Sequence, residues 1–136
     1  MMNDVVANKL QTIKRCLKRV NEEYAQAPAN LENFTKQDAI ILNIQRVYEA
    51  CIDLAMHIIS ENSWGIPQNS RDAFEILYQQ DIINEELNRN LKAMVGFRNI
   101  AVHDYQSVQL PILRAIIEHH LSDFIAFSDT ILRLEK

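Results

Sequence analysis

The stretch LNRNLKAMVGFRNIAVHDY, Leu87 to Tyr105, decides the fold. Its first half is apolar at steps of three and four: Leu87, Leu91, Met94 and Val95. That is the period of a helix with one face in a core. Its second half places a guanidinium, a carboxamide, an imidazole and a phenol close together, on Arg98, Asn99, His103 and Tyr105. Polar groups gathered at the end of an apolar helical run mark a site, because burying them without partners costs several kcal/mol. Arginine with histidine suits one task well, holding a phosphate while moving a proton near neutral pH.

Each helical residue advances by about 100°. With Arg98 at zero, Leu91, Val95 and Val102 fall within about 60° of it, and Leu87 and Met94 within about 40° on the other side. Arg98 therefore continues the apolar stripe and needs an anionic partner. Asn99 and His103, four residues apart, stack on one flank. Tyr105 falls within about 20° of Arg98 if the helix persists. Ala93, Phe97, Ile100 and Ala101 form a second apolar arc on the opposite side. A helix with two apolar faces is central or lies at a subunit interface. A homodimer that places two copies of the motif near a twofold axis is the expectation.

The remainder of the chain is also helical in pattern. Val6, Leu10, Ile13, Leu17, Val20 and Tyr24 predict a first helix over 4–27, ended by Pro28. Thr35, with Asp38 in the first turn, opens a second helix to about residue 62. Its apolar face runs through Ile40, Ile44, Val47, Cys51, Leu54, Ala55 and Ile58, and Gly65 suits a left-handed stop beyond it. Ser70 caps a short helix over 71–79, Asn84 caps the helix of the motif, and Pro111 starts the last. The fold expected is all-α, an up-and-down bundle of four long helices and one short one, in a single domain over 1–136.

Composition narrows the function. A chain of 136 residues with 48% hydrophobic residues can bury a core without disulfides or metals. Cys16 and Cys51 each sit on an apolar face as reduced core thiols. No metal-ligand spacing, leader or membrane-length apolar run is seen, so the expectation is a cytoplasmic protein with no membrane contact. The net charge of −4 and pI near 5.5 argue against a broad electrostatic nucleic-acid binder, but not against a local basic cleft. Lys14, Arg15, Lys18 and Arg19 form a basic patch that reads as a solvated face. His119 and His120 read as structural. On the second helix, Glu49, Asp53 and His57 share a stripe, and Glu49 or Asp53 is expected to anchor Arg98 across the bundle.

Arg98-x4-His103-x-Tyr105, overlapping Arg98-Asn99-x3-His103, resembles the signature of the HEPN superfamily, specifically of HepT-like toxins paired with minimal nucleotidyltransferase antitoxins. Gly96-Phe97, Asp104, the run Arg46 to His57 and Gly65-x-Pro67 with Phe74 are also similar. The resemblance implies a dimerising helical bundle and an endoribonuclease toxin acting on tRNA or mRNA without metal or other cofactor. It further implies that an antitoxin nucleotidyltransferase transfers AMP onto Tyr105. The residues suit the chemistry. In metal-free RNA cleavage the 2′-hydroxyl attacks and a cyclic phosphate remains. His103 would be general base or acid, Arg98 would stabilise the phosphorane-like charge, and Asn99 would orient either of them. A second His103 across a dimer cleft would supply the other proton-transfer group. The alternative is a non-catalytic HEPN subunit of a split nucleotidyltransferase that holds a substrate or nucleotide. The acidic pI favours it; the intact Arg98/His103 pair favours the nuclease.

Overall fold

The computed structural model describes residues 3–135. Among them there is no strand. The elements are α1 (Asp4–Tyr24), a 3₁₀ turn (Pro28–Glu32), α2 (Phe34–Glu61), α3 (Ser70–Gln79), α4 (Glu85–His103), a second 3₁₀ turn (Tyr105–Ser107), and a last rod of α5 (Leu110–Ala115), a π-turn (Ile116–His120) and α6 (Leu121–Leu134). This is the expected all-α bundle, and its helix starts follow from their caps. The side chains of Asn3, Asn33, Asn69 and Asn84 each accept a backbone N–H in the first turn they precede.

Two caps differ from expectation. Asn33 accepts the Lys36 N–H at 3.1 Å, so α2 starts ahead of Thr35. Asn69 accepts the Asp72 N–H at 2.8 Å and takes the role expected of Ser70. Both are one or two residues upstream of the predicted cap, where asparagine accepts as well as a hydroxyl does. The first helix stops at Tyr24, because Ala25 and Gln26 adopt left-handed backbone ahead of Pro28. Gly65 has φ +118°, a conformation that favours glycine.

Helix α2 is the centre of the bundle. Twelve of its residues are buried, from Ile40 to Ile59, and they point in nearly every direction. α1 packs along one side of it, α3 and α4 on another, and α6 closes the rest. Tyr48, Phe74, Phe124 and Phe127 are fully buried and join α2, α3 and α6. Their rings meet tilted or edge-on at centroid distances of 5.9, 6.3 and 5.9 Å. Such pairs add about 0.5–1.5 kcal/mol each beyond area burial. The Tyr48 hydroxyl donates to the Leu91 carbonyl at 2.7 Å, tying α2 to α4.

The face of α4 differs from the wheel. Phe97 and Ala101, expected on the second apolar arc, lie in the core with Leu87, Leu91 and Met94. The core-facing arc is centred about 40° from Arg98, on the Met94 side. Only Ala93 and Ile100 of the second arc stay exposed. With Val108, Pro111 and Ile112 they border an apolar groove of about 520 Å³ between α4 and the start of the last rod.

Candidate active site

The site lies where the C-terminal half of α4 passes the middle of α2 and the start of α3. Arg98 is at the edge of the core face, with 35% of its side chain exposed. Its Nη2 is 3.4 Å from Glu49 Oε1 on α2. This contact is long for a charge-assisted bond, which is usually about 2.7–2.9 Å. Its Nε is shut off from water with no acceptor among the described residues. The guanidinium is thus held in place and still has donors to give.

Asp53, the other expected anchor, does not reach Arg98. Lys9 on α1 takes it at 2.8 Å, because Asp53 sits one turn past Glu49 on the side covered by α1. His57, a further turn on, has its Nε2 3.1 Å from Glu61 Oε1. Of the stripe Glu49–Asp53–His57, only Glu49 belongs to the site. The Lys14–Arg19 patch is exposed on α1, and Arg19 is engaged by Glu22 and Glu23 at 3.1 and 2.6 Å. His120 pairs with Asp123 at 2.9 Å.

Asn99 and His103 are exposed on the flank of α4, one turn apart. Neither has a partner among the described residues. The helix ends at His103, where Asp104 leaves the helical region at φ −149°, ψ 64°. Tyr105 therefore does not continue the Arg98 stripe. It starts a 3₁₀ turn and donates its hydroxyl to Asp38 Oδ1 in the second turn of α2. Partial burial, then the hydrogen bond and the charge of Asp38, push the phenol up, so it stays protonated at neutral pH.

A cavity of about 350 Å³ opens beside Arg98. Tyr48, Asn69, Ser70, Arg71, Val95, Arg98 and Asn99 line it. Burial pushes the Tyr48 phenol up, while the charges of Arg71 and Arg98 pull the other way. Sequence reasoning missed Arg71 and gave Asp38 only a capping role. An arginine in the first turn of a capped helix, where a positive charge is disfavoured, is the signal that could have found Arg71. Asp38 has no such signal, because its contact spans 67 residues.

An all-helical bundle with Arg-x4-His-x-Tyr where its fourth helix ends is a HEPN protein. The chain belongs to the ribonuclease HepT-like family, whose profile matches residues 6–131. It is 52% identical over 130 residues to a protein of Shewanella oneidensis described as the mRNA nuclease HepT, spanning 96% of this chain and 98% of that one. It is 27% identical over 105 residues to a tRNA nuclease HepT of Aphanizomenon flos-aquae, spanning 76% of this chain and 71% of the relative. Among solved structures it is similar to a tri-AMPylated Shewanella oneidensis HEPN toxin in complex with its MNT antitoxin. That match has a TM-score of 0.91 and 50% identity, and covers 97% of this chain and 99% of the other. Among the described residues no helix is long and apolar enough to cross a membrane.

Proposed function

We propose that this protein is the RNA-cleaving toxin of a toxin–antitoxin pair, and that Arg98, Asn99 and His103 carry the reaction. The observation that carries the reading is the pairing of an incompletely partnered Arg98 with an open His103 on one helix. The Shewanella relative described as an mRNA nuclease supports it. The 2′-hydroxyl oxygen attacks the adjacent phosphorus and its proton passes to an imidazole. The P–O5′ bond breaks, and the O5′ leaving group takes a proton from a second acid. The products are a 2′,3′-cyclic phosphate and a 5′-hydroxyl, and no metal takes part. Arg98 stabilises the negative charge that builds on the phosphoryl oxygens, which only a donor already in place can do without reorganisation. Asn99 orients phosphate or imidazole.

One chain offers one histidine at this place. His103 of the partner subunit supplies the other proton-transfer group in a homodimer, whose seam includes the exposed apolar groove beside Ile100 and Ile112. A minimal nucleotidyltransferase antitoxin neutralises the toxin by transferring AMP onto the Tyr105 hydroxyl, as the tri-AMPylated relative suggests. The added phosphate repels RNA next to His103.

The test is cleavage of total RNA by the purified protein in chelator, with product ends identified by mass spectrometry. Cyclic-phosphate ends and loss of at least about 10²-fold activity in His103→Ala are expected. If the folded dimer neither arrests growth nor cuts any RNA, and His103→Ala changes nothing, a binding subunit without catalysis is the better reading. A His103→Ala protein that cuts as wild type does removes His103 from the reaction. Co-expression with the nucleotidyltransferase is expected to add adenylyl mass at Tyr105. An unmodified Tyr105 in a neutralised complex points to steric masking.

A further inference from the structure

The cavity beside Arg98 holds more positive charge than the reaction centre alone requires. Arg71 and Arg98 share its wall, and among the described residues no acidic side chain lines it. Arg71 is exposed and, among the described residues, has neither an ion pair nor a hydrogen-bond partner. Among the described residues the side chain of Arg98 has only Glu49, at 3.4 Å. Two guanidiniums around one space, with the Glu49 carboxylate outside its lining, favour an anion between them. Asn69 and Ser70, the cap and first residue of α3, also line the space, so the positive end of that helix adds to the field. The lining includes Arg98 and Asn99 but not His103. Asn99 lines the cavity and His103 lies one turn farther along the same flank of α4, so the space adjoins the place of His103 without including it.

We propose that Arg71 and Arg98 together form a second phosphate subsite, which holds the RNA phosphate next to the scissile one. The inference rests on the ribonuclease reading above. The scissile phosphate sits between Arg98 and His103. The strand then passes Arg98, and its neighbouring phosphate takes the fork of Arg71, which can grip two oxygens at once. Arg71 is a substrate-binding residue in this scheme. It does not touch the bond that breaks, so it strengthens ground state and transition state alike.

Two measurements on the full-length protein test this. The first is fluorescence anisotropy with a labelled single-stranded RNA carrying 2′-O-methyl at every position, which binds and cannot be cut. Arg71→Ala is expected to weaken binding roughly tenfold and to lower the slope of log affinity against log salt by about 0.7, the loss of one phosphate contact on a single strand. Arg71→Lys is expected to keep the slope and recover only part of the affinity, since lysine holds phosphate as a point charge. The second is cleavage kinetics, where Arg71→Ala should raise KM with kcat within about twofold. An unchanged Tm confirms that the exposed substitution leaves the fold intact, and the lysine variant serves if the alanine variant does not fold. Unchanged affinity and slope in Arg71→Ala, while His103→Ala still abolishes cleavage, overturns the subsite and leaves the ribonuclease standing. A wild-type protein that cleaves no RNA overturns the ribonuclease reading, and the anisotropy still reports on Arg71.

Discussion

Four residues apart on α3, Glu75 and Arg71 both face α4, and they meet opposite receptions. Glu75 accepts from Lys92 and from Asn88 at 3.1 Å, both on α4, and from Gln79 at 3.3 Å. These donors, Lys92 first, hold its carboxyl below the usual carboxylate range. Arg71 instead shares a cavity with another arginine. The same two helices thus build one matched cluster and one that lacks an anion. The matched cluster fixes the packing of α3 on α4. The unmatched one is stable enough to exist and incomplete enough to take a ligand, and that is where function is to be sought.

The contrast breaks most sharply at Arg98. Arg98→Ala is expected to cut the cleavage rate about 10²–10³-fold, with Arg98→Lys nearly as poor, while urea unfolding barely shifts. A large loss of stability with unchanged rate would make Arg98 a structural residue like Lys92. Next comes Glu49→Gln, which frees Arg98 from its one ion-pair partner among the described residues. It should lower kcat about tenfold by loosening the guanidinium, and lower KM by removing a negative charge from the RNA path. A rise in KM with unchanged kcat would show that Glu49 does something else.

Glu75→Gln should leave cleavage alone and change the pH dependence of stability. The Glu75 carboxyl is depressed in the folded state, so its contribution is present above the unfolded carboxyl pKa of about 4.3 and is lost as pH falls through the folded value. Urea midpoints measured from pH 6 down to pH 3 should therefore fall less steeply in the variant. Asp53→Asn should do least. It breaks an exposed pair with Lys9, worth at most about 1 kcal/mol, and should leave cleavage unchanged. A cleavage defect would return Asp53 to the site.

Much of this was legible in one dimension. The spacing of Leu87, Leu91 and Met94 sets the inner face of α4. The wheel puts Arg98 within that stripe, and the structure leaves it at the edge, with Val95 half-buried and Val102 exposed. Glu49 was readable as an anchor because both residues flank apolar stripes. Periodicity could not choose between Glu49 and Asp53, which share a stripe; the crossing of α1, with Lys9 at that height, decided it. Nor could it place the edge of the core, which lies on the Phe97–Ala101 side because those residues fill space there. Arg71 and Asp38 were out of reach for a simpler reason. Their neighbours, Arg98 and Tyr105, are close only through tertiary packing.

The break in α4 after His103 separates two kinds of cost. Arg98, Asn99 and His103 ride on a continuous helix whose backbone bonds are its own. Tyr105 belongs to a short turn, closed by the Val108 N–H on the Tyr105 carbonyl and latched to α2 by one phenolic proton. Esterifying that hydroxyl would spend the proton and set a phosphate against the Asp38 carboxylate, so the latch would turn into a repulsion. The turn could then swing away while the helix beneath it keeps its shape. Silencing by such a mark would be local bookkeeping: it writes on the hinge and leaves the blade unbent, ready to work again once the ester is removed.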